Sequence, residues 1–132
     1  MKTILGRIVL VVACGLPAGA VADTKDDAQR FLLRGQEAVA IAKTSADFQA
    51  AVKEISEAVR IAPDFADAWY NLGLVQEKAG DLPSAMKSMR RYLELAPNAP
   101  DAQSVRDTLV RWEYRAERAQ QRPEGIRRPR AN

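Results

Sequence analysis

Apolar positions recur every three or four residues along most of the chain, and the breaks in that pattern divide it into five helices. Phe31, Leu32, Ala38, Ile41 and Ala42 mark a first helix over residues 28–43. Gly35 lies inside it, and either weakens it or lets a neighbour approach closely. Residues 23–27 (DTKDD) are polar and read as frayed, with Asp26 or Asp27 placed to start the helix. Thr44 and Ser45 interrupt the pattern and offer an N-cap hydroxyl. Phe48, Ala51, Val52, Ile55, Ala58, Val59 and Ile61 then form one wide apolar face, while Lys53, Glu54, Glu57 and Arg60 fall on the other side. Pro63 ends this second helix, because the residue before a proline is pushed out of the α region.

A third helix follows over residues 66–79, with Asp64 and Asp67 framing its start in the manner of a capping box. Gly80 supplies a left-handed C-cap, Asp81 caps the fourth helix, and Pro83 suits that helix's first turn. Leu82, Ala85, Met86, Met89, Tyr92, Leu93 and Leu95 give the fourth helix its apolar face. The fifth starts at Pro100-Asp101 and runs to about Ala119, with Val105, Leu109, Trp112 and Ala116 as a narrow stripe. Arg106, Asp107, Arg111, Glu113 and Arg118 lie off that stripe.

These helices repeat. One common interval takes Ala51 to Ala85, Ile55 to Met89, Val59 to Leu93 and Pro63 to Pro97. IAPDFADA (61–68) aligns with LAPNAPDA (95–102) at the same interval. Trp69, Leu72, Gly73, Ala85 and Pro97 match the pattern W-x2-L-G-x2-Y…A-x3-F…P, and Met89 is an apolar replacement for its phenylalanine. The stretch resembles one tetratricopeptide repeat, a helix–turn–helix unit, and the interval is the length expected of that repeat class. Two positions depart from the pattern. Gln76 occupies the tyrosine slot, and Tyr92 stands where a small residue is usual.

The resemblance implies an all-α solenoid of two antiparallel helix hairpins plus a C-terminal capping helix, spanning residues 23–119. Residues 66–99 are the intact repeat and 32–65 a degenerate one. In the latter Ala51, Ala58 and Pro63 fall where expected, but Gly35, Ala38 and Val39 occupy the Trp-Leu-Gly positions. An insertion around Thr44 is the alternative to that register. Residues 100–119 form the cap, whose charged back suits a terminal unit with nothing stacked beyond it. Gly73 and Ala85 are expected to face each other, with Trp69 and Leu72 filling the groove between hairpins. In this family the first helices of successive repeats line a concave surface that holds another protein. The resemblance therefore implies a partner surface of Asp67, Tyr70, Asn71, Leu74, Glu77 and Lys78, continued by Asp101, Ser104, Thr108 and Arg111.

The N-terminus reads differently. Residues 1–7 carry Lys2 and Arg7, an apolar run follows to Leu16, and Ala20-Val21-Ala22 is a small-x-small site: the three regions of a signal peptide over residues 1–22. The apolar run falls short of the roughly 20 residues that span a bilayer. Val11-Val12-Ala13-Cys14 also reads as a lipobox, which would make Cys14 a lipidated N-terminus and tether the protein to a membrane. Beyond Ala22 the chain holds 18 basic and 17 acidic residues, with a net +3 concentrated in residues 119–132. The helical region is thus slightly acidic, which argues against nucleic-acid binding. Residues 120–132 read as a disordered basic tail.

Composition removes most chemistry. The chain has no histidine and a single cysteine, Cys14, in the leader. The usual general base, the commonest zinc ligand and thiolate sites are missing. Gly35, Gly73 and Gly80 stand singly, so no phosphate-binding loop is formed. Glu54/Glu57 and Asp64/Asp67 read as a solvated helix face and a helix cap. The expected protein is non-catalytic, without metal or cofactor: an exported, periplasmic adaptor that binds another protein or peptide. The alternative is a lipoprotein assembly factor anchored through Cys14. Two repeats and a cap give a small core, so self-association or a partner is expected to add stability.

Overall fold

A computed structural model describes residues 18–121. Cys14, most of the leader and the basic tail from Arg122 onward lie outside the described residues. Among those described there are five helices and no strand: α1 (Ala18–Ile41), α2 (Ser45–Ile61), α3 (Ala66–Lys78), α4 (Leu82–Leu95) and α5 (Ala102–Gln120). Each packs on the next, and α3 also touches α1, so α1/α2 and α3/α4 form two stacked hairpins with α5 laid on α4. No described helix is long and apolar enough to cross a membrane.

The caps decide where the helices start. Thr44 caps α2 reciprocally: its hydroxyl accepts from the Asp47 amide at 3.2 Å, and the Asp47 carboxylate accepts from the Thr44 amide at 2.8 Å. A further bond from the Lys43 amide joins it, and these backbone donors hold the Asp47 carboxyl below its ordinary pKa. Gly80 sits at φ +90°, and Asp81 accepts from the Ser84 amide at 3.1 Å with Pro83 in the first turn. Two expectations need correction. Residues 23–27 are helical, not frayed: no proline interrupts α1, and its anchors Ala28 and Leu32 are buried against α2. The start of α3 has no capping box either. Phe65 is its N-cap residue and makes no side-chain cap bond, and the turn is instead closed by Trp69 Nε1 donating to the Pro63 carbonyl at 2.9 Å.

The core falls into two clusters. One gathers Ala28, Leu32, Ala51, Ile55, Ala58, Val59, Ala68, Leu72 and Val75, and the other Ala85, Met89, Tyr92, Val105, Leu109 and Trp112. Trp69 packs against both and so joins the two halves. In the intact repeat a side chain at Gly73 of α3 would come within 3.0 Å of Met89 Cγ and 3.2 Å of the Ala85 carbonyl on α4. The close approach expected at Gly73 and Ala85 is therefore made to the Ala85 backbone and the Met89 side chain.

The same geometry recurs in the first hairpin, where a side chain at Gly35 would meet Ile55 Cγ1 at 2.2 Å and the Ala51 carbonyl at 3.4 Å. Ala51 and Ile55 are the counterparts of Ala85 and Met89 one repeat interval earlier, so Gly35 is the structural counterpart of Gly73. Yet Gly35 precedes Gly73 by more than that interval, and the excess is about one helical turn. The α1–α2 hairpin is longer by that turn. Of the two registers open from sequence, the insertion holds. Gly35, Ala38 and Val39 do not occupy the Trp-Leu-Gly positions.

Along α5, Ala102, Val105, Leu109 and Trp112 are buried and Ala116 is half-buried. The back of this helix is less charged than expected, since Val110 and Tyr114 are 65% and 63% exposed there. Arg106 and Asp107 stand one repeat interval after Leu72 and Gly73. A helix that carries an arginine and an aspartate where its hairpin partner would pack closely ends the stack.

Candidate partner-binding surface

The expected inner surface falls on the first helix of each successive unit, α1, α3 and α5; α1 touches α3, and Glu77 of α3 reaches Arg115 of α5. From α3 the structure places Asp67 and Lys78 towards solvent and Tyr70, Asn71, Leu74 and Glu77 half-buried. Asn71 is held from both sides: its amide donates to the Asp67 carbonyl at 2.7 Å, and its side-chain oxygen accepts from Gln36 of α1 at 3.5 Å. Glu77 pairs with Arg115 of α5 at 2.7 Å, which ties the far rim of α3 to the cap. Lys78 has no carboxylate partner among the described residues, and its ammonium lies 5.6 Å from the Phe48 ring centre.

On α5 the named residues divide. Asp101 accepts the Tyr92 hydroxyl at 2.5 Å, and so is committed to the fold. Ser104, Thr108 and Arg111 bond within the helix: Thr108 donates to the Ser104 carbonyl at 2.9 Å and Arg111 donates to the Thr108 hydroxyl at 3.0 Å. The structure thus gathers Tyr70 and Asp101 around Tyr92, and leaves Ser104, Thr108 and Arg111 as a separate strip.

Both departures from the repeat pattern have structural causes. Gln76 accepts from Ser88 at 2.7 Å, and Ser88 is a polar side chain only 3% exposed in the core. A buried hydroxyl without that partner would cost on the order of 1–3 kcal/mol. Tyr92 is 5% exposed, tilts against Tyr70 at a centroid distance of 5.2 Å, and reaches across to Asp101 at the start of α5. Its counterpart one repeat earlier is Ala58, whose methyl cannot make such a bridge. The carboxylate of Asp101, accepting the hydroxyl, and then burial push the Tyr92 phenol up to about 12.

A phenol whose pKa rises on folding stabilises the fold fully below about pH 10 and loses that contribution as pH climbs through about 12. Tyr92→Phe is accordingly expected to lower stability by about 1.5–3 kcal/mol at neutral pH, the worth of a hydrogen bond to a charged group. The gap to the unsubstituted protein should then close between pH 10 and 12. Urea unfolding of both proteins at a series of pH values checks this, and a gap that stays constant refutes the bridge.

The inner surface also contains residues that sequence reasoning left unassigned. Gln36 and Val39 of α1, Ile55 of α2, and Asn71, Leu74, Val75 and Lys78 of α3 enclose a cleft of about 140 Å³. The spacing that could have located it was available. Gly35 stands about one helical turn further from Ala51 than Gly73 stands from Ala85. Arg115, which secures Glu77, was likewise unassigned.

A family model described as tetratricopeptide repeat matches residues 39–109. Among solved structures the chain resembles the crystal structure of MamA protein, with a TM-score of 0.52 and 21% identity over 81% of this chain and 64% of that one. At that identity the likeness shows the fold, and the chain spans less than two thirds of MamA. No curated protein matches.

Proposed function

Because the chain belongs to the tetratricopeptide repeat family, whose repeats mediate protein–protein interaction, we propose that it is a non-catalytic adaptor holding a partner protein on the inner surface of α1, α3 and α5. The observation that carries this is the chemistry of that surface. It presents half-buried Leu74 beside the polar Gln36, Asn71 and Ser104, and two cations, Lys78 and Arg111, that lack carboxylate partners among the described residues. The Glu77–Arg115 ion pair crosses the same surface from α3 to α5. An exposed cation without a counter-charge beside a half-buried apolar side chain has more to gain from a partner than a paired charge does.

Export is part of the same proposal and rests on the basic, apolar and small-residue order of residues 1–22. The tethered alternative rests on Val11-Val12-Ala13-Cys14. Mass spectrometry of the mature N-terminus separates the two, since one begins at Asp23 and the other at a lipidated Cys14.

The interaction itself is tested by photo-crosslinking in the native host. A photoreactive residue placed at Gln36, Leu74 or Ser104 should capture a partner. One placed at Lys53 or Lys87, both exposed on second helices, should not. Crosslinks from the second-helix positions alone would remove the inner-surface assignment.

A further inference from the structure

The two gaps between successive first helices differ: α1 touches α3, whereas α5 packs on α4 and reaches α3 through side chains. The α1–α3 cleft has a floor of Val39, Ile55 and Leu74, a rim of Gln36 and Asn71, and Lys78 at its mouth. One repeat interval after Asn71, Val75 and Lys78 stand Val105, Leu109 and Trp112. Those three are buried in one cluster with Met89, the counterpart of Ile55, and Leu74 packs against it. Where the first gap has an amide and an ammonium, the second has valine and tryptophan. The protein plugs its own second gap and leaves the first one open.

From this asymmetry we infer that the α1–α3 cleft is the anchor site for one aliphatic side chain of the partner, with Lys78 receiving the carboxylate of an acidic side chain next to it. The inference rests on the inner-surface reading above and names what that surface selects. Size fits the anchor: about 140 Å³ is close to the roughly 150 Å³ of an apolar cavity that accepts a benzene. Polarity fits the neighbour. Lys78 is the one cation lining the cleft, and an ammonium resting on Phe48 meets a carboxylate without breaking an existing ion pair. Gln36 and Asn71 present amides, which suit the N–H and C=O groups of a peptide chain that continues past the anchor.

The test is an amide-shift titration of the ¹⁵N-labelled protein with three probes: acetyl-Leu-Glu-methylamide, acetyl-Leu-Gln-methylamide and acetyl-leucine. The glutamate probe should give saturable shifts centred on Val39, Asn71, Leu74 and Lys78, with a dissociation constant on the order of 1–10 mM for so small a ligand. The glutamine probe should bind about five- to tenfold more weakly, and Lys78→Gln, a substitution at the cleft mouth, should abolish that difference. Val39→Phe, which fills the cleft, should remove the shifts for both dipeptides. If it unfolds the protein, Gln36→Trp closes the rim from an exposed position.

Equal affinity for the two dipeptides, shifts centred between α3 and α5, or no saturable shifts would each overturn the inference. So would acetyl-leucine binding more tightly than the glutamate probe, which would assign the site to a chain terminus. If crosslinks still form at Gln36 and Leu74 while these shifts are missing, only the anchor fails. Crosslinks confined to the second helices would instead remove the surface on which it depends.

Discussion

Gly35→Ala is expected to destabilise the fold by about 1–3 kcal/mol, while Gly73→Ala changes stability by less than about 1 kcal/mol, although Gly73 is the glycine that matches the repeat pattern. The difference lies in what each new methyl would meet. At Gly35 it would stand 2.2 Å from Ile55 Cγ1 and 2.9 Å from Cδ1. Ile55 is fully buried and branched at Cβ, so its Cγ1 moves only with its χ1 angle or with the backbone of α2. At Gly73 the nearest atoms are Met89 Cγ at 3.0 Å and the Ala85 carbonyl and Met89 Cε, both at 3.2 Å. These contacts overlap far less than the one at Gly35, and the unbranched Met89 chain takes up part of the strain. Alanine also favours a helix interior over glycine by about 1 kcal/mol. That gain offsets most of the strain at Gly73 but falls short of the overlap at Gly35. Thermal or urea unfolding of the two variants side by side is the measurement, and equal losses would contradict the register that pairs Gly35 with Ile55.

Much of this fold was legible before any coordinates, and the part that was not has a definable reason. The second helices carry their own register. Ala51, Ile55, Ala58 and Pro63 recur as Ala85, Met89, Tyr92 and Pro97, and Gly80, Asp81 and Pro83 punctuate the second hairpin by local chemistry alone. The first helix could not be placed by the same interval, because the extra turn in the α1–α2 hairpin lies between its glycine and the residues that glycine packs against. A fixed period counts along the chain, whereas close packing is a relation across it.

Tyr92 and Gln76 show the same limit. Each stood out as a departure, but Tyr92 bonds to Asp101 at the start of α5 and Gln76 to Ser88 on α4. Only the packing of one helix on the next brings them together. The expected partner surface named residues of α3 and α5 but none of α1, so the cleft between α1 and α3 went unassigned. Asp101 illustrates the converse. Its place at the start of α5 was readable, but its bond to Tyr92 was not.

Trp112→Ala should have the largest effect of any single change, about 3–5 kcal/mol by the usual cost of removing a buried aromatic side chain, and the loss should be local. Trp112 is 6% exposed and packs with Val105, Leu109 and Met89, while no described helix covers the outer side of α5. With the indole gone, α5 would retain the Tyr92–Asp101 bond, the Arg106 bond to the Pro97 carbonyl, and two ion pairs to Arg90 and Glu77. Those pairs are largely exposed, and such pairs contribute about 0–1 kcal/mol each. They cannot replace the indole.

The cluster around Ile55 does not include Trp112, and Trp69, the other tryptophan, packs against both clusters. Hydrogen exchange should therefore show α5 losing protection first, while α1, α2 and α3 keep theirs, as expected for sub-global opening of one unit in a stack. Trp69 fluorescence, sensitive to both clusters, should then change in two steps. A single transition in which all five helices lose protection together would mean that the two clusters act as one core. The second gap would then be closed by the whole stack, not by Trp112. The separate outcome would identify α5 as a detachable plug, one that can leave the second gap while the first, with Lys78 at its mouth, stays formed.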